Sequence, residues 1–314
     1  MRKVIGIGEV ILDIIMKDGQ PLSAVPGGSV FNAMVSLSRL GIPVSFIGEI
    51  GNDMVGKIIT DFMKTNYMST DYISFFSSGK TPVSLAFLDE TNNSEFLFYN
   101  NLTTSQINTN FPTISPDDIV LLASYYAINP LNRKLIVELL EYAKKQKAII
   151  YYDLNFRKAH IHDAIRVRSS IIENYEFSDI VRGSDEDFFN LYGKTAIEQI
   201  YKEEFQLYSK RLITTHGSEG VNLYTESLRA HYNSIPIQPV CTIGAGDNFN
   251  AGLIYGLNKY NIGLSDLPSM NEATWSKIIS CGIDFSAEVC QSYSNYISFD
   301  FANEYSTIKL NFRT

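Results

Sequence analysis

The chain has 314 residues, 45% of them hydrophobic and 19% charged, enough to bury a sizeable core in one large domain or two ordinary ones. Its 26 basic and 34 acidic side chains give a net charge of −8, which argues against a nucleic-acid or anionic-membrane partner. Three cysteines, Cys241, Cys281 and Cys290, form neither a metal-ligand spacing nor a disulfide framework and fit a reducing, cytoplasmic setting, and no stretch approaches the roughly 20 apolar residues of a membrane span.

The apolar run 4–13, interrupted by Glu9 and Asp13, reads as a buried strand, too short and wrongly flanked for a signal peptide. Its Gly6-Ile7-Gly8 begins like a dinucleotide fingerprint, but Ile11 stands where the third glycine belongs and a second apolar run follows instead of a helix. Next, Pro26-Gly27-Gly28-Ser29-Val30-Phe31-Asn32-Ala33 leads a double glycine into a helix with Val30, Phe31, Met34, Val35 and Leu37 buried, ended by Gly41 and Pro43. Asn32 falls in its first turn, where the amide can donate to and accept from a polyol or simply be a polar helix position. A strand at 44–47 precedes Gly51-Asn52-Asp53-Met54-Val55-Gly56-Lys57-Ile58, which falls short of a phosphate-binding loop because Ile58 has no hydroxyl for Mg²⁺.

Residues 81–100 read as a hairpin, with strands at 81–88 and 94–100 joined by the turn-rich 89–93. Val83, Leu85, Phe87, Phe96 and Phe98 are expected to form one apolar face, covering a binding cleft as a flap or extending a sheet edge. Strands at Ile119–Ala123, 148–152, 179–181 and 212–215 alternate with helical patterns. The clearest helix is 130–146, with Pro130 in its first turn and Leu131, Leu135, Ile136, Leu139, Leu140 and Ala143 on one face. Such alternation predicts a parallel sheet with helices on both sides. His160-Ile161-His162-Asp163 lacks a third metal partner in view and reads as a solvated loop. The last 20 or so residues are a polar–aromatic strand or tail.

The strongest signal is Cys241-Thr242-Ile243-Gly244-Ala245-Gly246-Asp247, after which Phe249, Leu253, Ile254 and Leu257 recur at helical spacing. Glycines at a helix start let backbone N–H groups approach a ligand, and the helix end adds partial positive charge, so this is an anion site. An acid beside it suits a general base that takes the proton from a hydroxyl attacking phosphorus. The bland alternative is an ordinary helix start with an acid in its first turn.

In order, the chain carries Gly8-Glu9…Asp13, Gly27-Gly28…Asn32, Phe46-Ile47-Gly48…Gly51…Asp53…Gly56, Asp153…Asn155…Arg157, Thr215…Gly217…Gly220 and Thr242…Gly244-Ala245-Gly246-Asp247. Together these resemble the ribokinase-like (PfkB) family of carbohydrate kinases along nearly the whole chain. The resemblance implies an α/β fold: one domain over 1–314, a three-layer αβα sandwich with a mostly parallel central sheet and a small β lid that includes residues 81–100. It implies ATP and Mg²⁺, with Asp247 as catalytic base and Gly244, Ala245 and Gly246 as the anion hole. Asp13, Gly27, Gly28 and Asn32 would hold sugar hydroxyls. Arg157 would be a cation near the phosphate or substrate, or else an exposed ion pair. Thr215, Gly217, Gly220 and Ser184 would line the nucleotide site.

Members of that family that act on phosphosugars, and ribokinases themselves, usually carry Lys-Gly after the double glycine. Ser29-Val30 here point to an unphosphorylated substrate, and the Gly8-Glu9…Asp13 and Asp153…Arg157 motifs are most similar to the fructokinase branch. D-fructose to fructose 6-phosphate is the expectation, with another hexose, a ketodeoxy sugar acid such as ketodeoxygluconate, a nucleoside, or a non-catalytic sugar sensor as alternatives. Two positions depart from the family. Cys241 stands where an Asp associated with a monovalent cation is usual, and a neutral thiol is a poor K⁺ ligand, so K⁺ use is doubtful. The family's Asn-x2-Glu becomes Ser184-x2-Asp187, leaving Asp187 to reach Mg²⁺ through water. The segment 281–295 falls on the adenine side of the family pattern. The resemblance also allows a homodimer through the lid.

Overall fold

The computed structural model describes residues 2–90, 94–99, 107 and 110–308. In chain order these form β1 (Val4–Ile7), β2 (Ile11–Lys17), β3 (Gln20–Gly27), α1 (Ser29–Arg39), β4 (Val44–Gly51), α2 (Met54–Thr65), β5 (Ile73–Phe76), β6 (Val83–Leu88) and β7 (Ser94–Tyr99). There follow β8 (Ile119–Ala123), α3 (Arg133–Lys145), β9 (Ile149–Asp153), α4 (Ala164–Phe177), β10 (Ile180–Ser184), α5 (Asp185–Tyr192), α6 (Ile197–Ile200) and β11 (Arg211–Thr215). The remainder is β12 (Val221–Thr225), β13 (Arg229–Tyr232), α7 (Ala245–Lys259), α8 (Glu272–Val289) and α9 (Phe299–Ile308).

Strands with apolar residues on both faces require a sheet covered on both sides. The nine-stranded sheet, ordered β13-β12-β11-β10-β9-β8-β1-β4-β5, meets that requirement; β11 through β5 are parallel, and β12 and β13 form an antiparallel edge. Alternation along each strand divides the core in two. Ile119, Leu121, Ala123, Ile149 and Tyr151 face the core under α1, α7 and α8, while Val120, Leu122, Ile150 and Tyr152 face α3, α4 and α5. The result is the expected three-layer αβα sandwich.

The chain turns back at β1, with β4 on one side and β8 on the other. In open α/β sheets ligands bind beyond the carboxyl ends of the strands at such a reversal. Glu9 follows β1, Asp153 ends β9, Ser184 ends β10 and Thr215 ends β11, so the motif residues gather along one edge.

A second sheet, β3-β2-β6-β7, forms the lid. The run 4–13 is therefore two strands in two sheets, because Gly8–Val10 breaks the extended ribbon and sends Asp13 into the lid. The hairpin's single apolar face is also corrected. Antiparallel register sets Phe96 opposite Ala86 and Phe98 opposite Ser84, on the face opposite Val83, Leu85 and Phe87. The inner residues Ile15, Ala86 and Leu88 pack on Cys241 and Ile243, just upstream of the Gly244 turn. The expected strand end at 100 and the turn positions 91–93 lie outside the described residues.

Two helices depart from the sequence reading. The helix expected at 130–146 begins at Arg133, after a turn that leaves Leu131 52% exposed. The C-terminal segment forms α9 up to Ile308 instead of a strand or tail. Among the described residues no helix is long and apolar enough to cross a membrane.

Candidate active site

Gly244, with φ of 78°, turns the chain into α7 so close to Asn295 that a Cβ would press on that residue's backbone. Asn248 fastens the turn: its Nδ2 donates to the carbonyls of Gly244 (2.7 Å) and Asn295 (2.8 Å), and its Oδ1 accepts from Ser36 Oγ at 2.5 Å. The N–H of Ala245 is engaged by the Thr242 carbonyl at 3.2 Å. Those of Gly246 and Asp247 have no acceptor among the described residues and mark the open end of a 15-residue helix.

Asp247 is buried in the first turn of α7. Ser29 Oγ donates to its Oδ1 at 2.7 Å and Asn32 Nδ2 to its Oδ2 at 2.8 Å. Burial pushes its pKa above the ordinary carboxylate value, partly offset by those two donors and by the charges of Arg157 and Arg182. Each oxygen keeps a second lone pair, so a substrate hydroxyl can donate without displacing either partner.

On the lid side, buried Asp13 accepts from Ser84 Oγ and from Asn295 Nδ2 (3.1 Å). Burial raises its pKa to about 6, against the lowering effect of both donors. Gly27 lies so close to Asp13 that a Cβ would collide with the carboxylate. Gly28, at φ 129°, lies against the Glu9 carbonyl. Glu9 itself is half-buried; burial first, then the negative charges of Asp13 and Asp247, push its pKa to about 7 despite Arg157. The Oδ1 atoms of Asn32 and Asn295 are buried without a hydrogen-bond partner. Carboxylates and amide oxygens make this cluster rich in acceptors, suited to the hydroxyls of a neutral polyol.

Asn295 carries no motif, and the segment it ends was expected beside adenine. It reaches the lid-side pocket because the segment after it is pinned: Ile297 N–H donates to Ser36 Oγ (3.2 Å), Arg39 donates to the Ile297 carbonyl (2.5 Å), and Tyr296 OH donates to the Pro26 carbonyl (3.1 Å). Upstream in the same segment, Ile283, Ala287 and Cys290 do line the cleft described next.

From Asp247 a cleft of about 1340 Å³ runs past Gly244–Gly246 along the ends of β10 and β11. Thr215, Gly217, Gly220, Ser184 and Asp187 all line it, as does Arg182, which no motif flagged. Val221, Ile235 and Ile283 add apolar side chains to its lining. Ser184 and Asp187 form a capping box at the start of α5: Asp187 N–H donates to Ser184 Oγ (3.1 Å) and Ser184 N–H to Asp187 Oδ2 (2.7 Å). Exposed Arg157 places its guanidinium 5.5 Å from the centre of the Phe96 ring, joining cleft to lid.

The other motifs have local roles. Asp53 caps α2 by accepting from Gly56 N–H (2.8 Å) and also accepts from the Thr81 N–H and Oγ1, each at 2.8 Å. The near-phosphate loop thus anchors the segment leading into lid strand β6. His160 stacks on Tyr125 with ring centres 4.0 Å apart, and Asp163 accepts from Tyr125 OH (2.8 Å) and pairs with Arg166 (2.9 Å).

The fold and this cleft define a phosphotransferase of the αβα, lidded class. Residues 1–300 match the pfkB family carbohydrate kinases, and the chain belongs to that family, whose enzymes phosphorylate an alcohol group of a sugar. It is 26% identical to the probable chloroplastic fructokinase-6 of Arabidopsis thaliana, over 86% of this chain and 74% of that one. It is 25% identical to fructokinase-1 of Oryza sativa subsp. japonica, over 86% and 87%. In structure it is similar to Vibrio cholerae fructokinase with fructose, ADP and calcium ion bound (TM-score 0.81, 21% identity, 95% and 96% covered). It is equally similar to Salmonella enterica aminoimidazole riboside kinase with its riboside and an ATP analogue (TM-score 0.81, 19% identity, 98% and 100% covered).

Proposed function

We propose that this enzyme transfers the γ-phosphoryl group of ATP to a primary hydroxyl of an unphosphorylated sugar, forming fructose 6-phosphate from D-fructose, as one cytoplasmic kinase unit spanning 1–314. The observation that carries the reading is Asp247: a buried carboxylate between two donors, beside the open amides of α7, on the edge of the cleft and bonded to Asn32 of the acceptor-rich cluster. The sugar hydroxyl attacks in line, its O–P bond forms as the bond from phosphorus to the ADP oxygen breaks, and its proton passes to Asp247. The Gly246 and Asp247 amides stabilise charge on the phosphoryl oxygens, with Ala245 supplying little because its N–H is engaged. Asp13, Asn32 and Asn295 orient the sugar, against Gly27 and Gly28. The lid excludes water that would otherwise compete for the phosphoryl group.

ATP would occupy the cleft with its phosphates at Gly244–Gly246, its chain passing Ser184, Thr215, Gly217 and Gly220, and its base against the apolar lining of Val221, Ile235 and Ile283. Asp187 would hold Mg²⁺ through water with its Oδ1, which is outside the capping box, and that ion would neutralise phosphate charge. K⁺ is not part of the reading, because Cys241 is buried among Ile15, Ala86 and Leu88.

Names of the relatives favour fructose, and the surroundings of Asp13, Asn32 and Asn295, where among the described residues the nearby cation is the exposed Arg157, support a neutral sugar over a sugar acid or phosphosugar. The test is ADP release with fructose, other hexoses, ribose, ketodeoxygluconate and nucleosides. Fructose should give the highest kcat/KM. A preference for the acid or a nucleoside would reject fructose, and sugar binding without ADP release would mean a sensor.

The lid supports a homodimer. Leu97 and Phe87 share its outer face and are 49% and 42% exposed, apolar surface of the kind that docks on a second copy. Sedimentation should give a dimer at micromolar concentration, and a monomer there would reject it.

A further inference from the structure

Arg182, in β10, is buried, yet it lines the cleft. Its Nη1 pairs with Asp153 at 3.1 Å, its Nη2 donates to Thr215 Oγ1, and its Nε has no partner. Its guanidinium lies against Gly246, with Nη1 2.9 Å and Nη2 3.1 Å from where a Cβ would be, so a side chain at 246 would stand between the guanidinium and the helix start. Asp153 is fully buried and also accepts from Asn250 Nδ2 at 2.7 Å, which fixes the carboxylate and through it the guanidinium.

The wall that receives a triphosphate carries Asp185, Glu186, Asp187 and Asp247. Of the cations on the same cleft, Arg157 and Lys158 are exposed and screened by solvent. Arg182 is the buried one. A fixed charge in a low-dielectric wall acts more strongly on a nearby phosphate than an exposed one, and the planar guanidinium offers paired donors matched to phosphate oxygens. A purely structural ion pair would leave unexplained why the Nη1 and Nη2 edge of the guanidinium is set against the anion-binding turn at Gly246.

We infer that Arg182, positioned by Asp153 and Thr215, is a further catalytic residue that contacts the transferring phosphate through the gap left by Gly246. The inference rests on the phosphoryl-transfer reading but concerns the nucleotide side alone. Its role is to hold and neutralise the terminal phosphates as the bond to ADP lengthens, beside the amides of Gly246 and Asp247.

The experiment compares wild type, Arg182→Lys and the charge-neutral pair Arg182→Gln/Asp153→Asn, which removes the cation without leaving a buried carboxylate unpaired. Binding of AMP, ADP and ATP is measured by calorimetry, with thermal unfolding as the folding control. A phosphate contact predicts that the double variant binds AMP within about 3-fold of wild type but loses about 10- to 100-fold in ATP affinity, with kcat down about 10²-fold. Arg182→Lys, which keeps the charge but not the fork, should fall between. An equal loss for AMP, ADP and ATP, or ATP affinity and kcat within about 3-fold of wild type in a folded variant, would overturn the assignment. If the double variant does not fold, Arg182→Lys decides by the same comparison of AMP with ATP. A wild type that binds ATP but phosphorylates no sugar would remove the functional reading while leaving the nucleotide series to judge Arg182.

Discussion

Ser29 Oγ donates to Asp247 Oδ1 at 2.7 Å, on the oxygen opposite the one that Asn32 engages. Both bonds favour the ionised carboxylate, whereas burial favours the protonated form. Ser29→Ala removes one stabilising donor and should move the acid limb of the kcat/KM profile to higher pH. At a pH well above that limb the variant should approach wild-type turnover. A pH–rate profile that superimposes on wild type would mean that Ser29 has no hold on the base.

Asp247→Asn preserves shape and removes the proton acceptor. Turnover should fall about 10²- to 10⁴-fold, while sugar affinity, measured by calorimetry, changes only a few-fold. Near-full turnover would exclude Asp247 as the base and leave it a helix-start acid.

The lid-side pocket makes the stability of the ligand-free enzyme depend on pH. Glu9 and Asp13 have pKa values of about 7 and about 6, above those of an unfolded chain, chiefly through burial. Between about pH 4 and pH 7 the folded protein therefore binds more protons than the unfolded one, so stability falls as pH rises through that window. The melting temperature should be higher near pH 5.5 than near pH 7.5. Glu9→Gln with Asp13→Asn should flatten the difference, and an unchanged slope would assign it to other groups.

The central sheet was legible because β8 and its neighbours are unbroken apolar runs buried on both faces, and the Gly244 turn because its glycines lead directly into residues at helical spacing. The lid was half legible. Its hairpin announced itself by two strands around a polar turn, but nothing in 4–13 marks where one sheet ends and the other begins. The mixed face assigned to Phe96 and Phe98 follows from the same limit, since register depends on turn residues whose geometry local pattern does not state. Asn295 and Arg182 were hidden for a different reason. Asn295 meets Asp13 across 282 positions, and Arg182 lies in the middle of an ordinary strand where Gly246, far along the chain, makes room for it.

Cys241 gives the last prediction. Its thiol is buried with Ile15, Ala86, Leu88 and Ile243, where the lid meets the segment leading to the anion site. Burial also raises its pKa, so it remains a neutral thiol at neutral pH. Replacing it with Ala removes little volume and should cost about 1 kcal/mol or less. Cys241→Asp instead buries a carboxylate among apolar side chains and should cost about 2–4 kcal/mol, read as a lowered midpoint in denaturant titration. Turnover of the wild type should be the same in KCl as in NaCl at equal ionic strength, because a thiol in that cluster offers a hard cation no charge. A several-fold stimulation specific to KCl would mean that backbone carbonyls alone assemble the ion site, and that Cys241 does not close it.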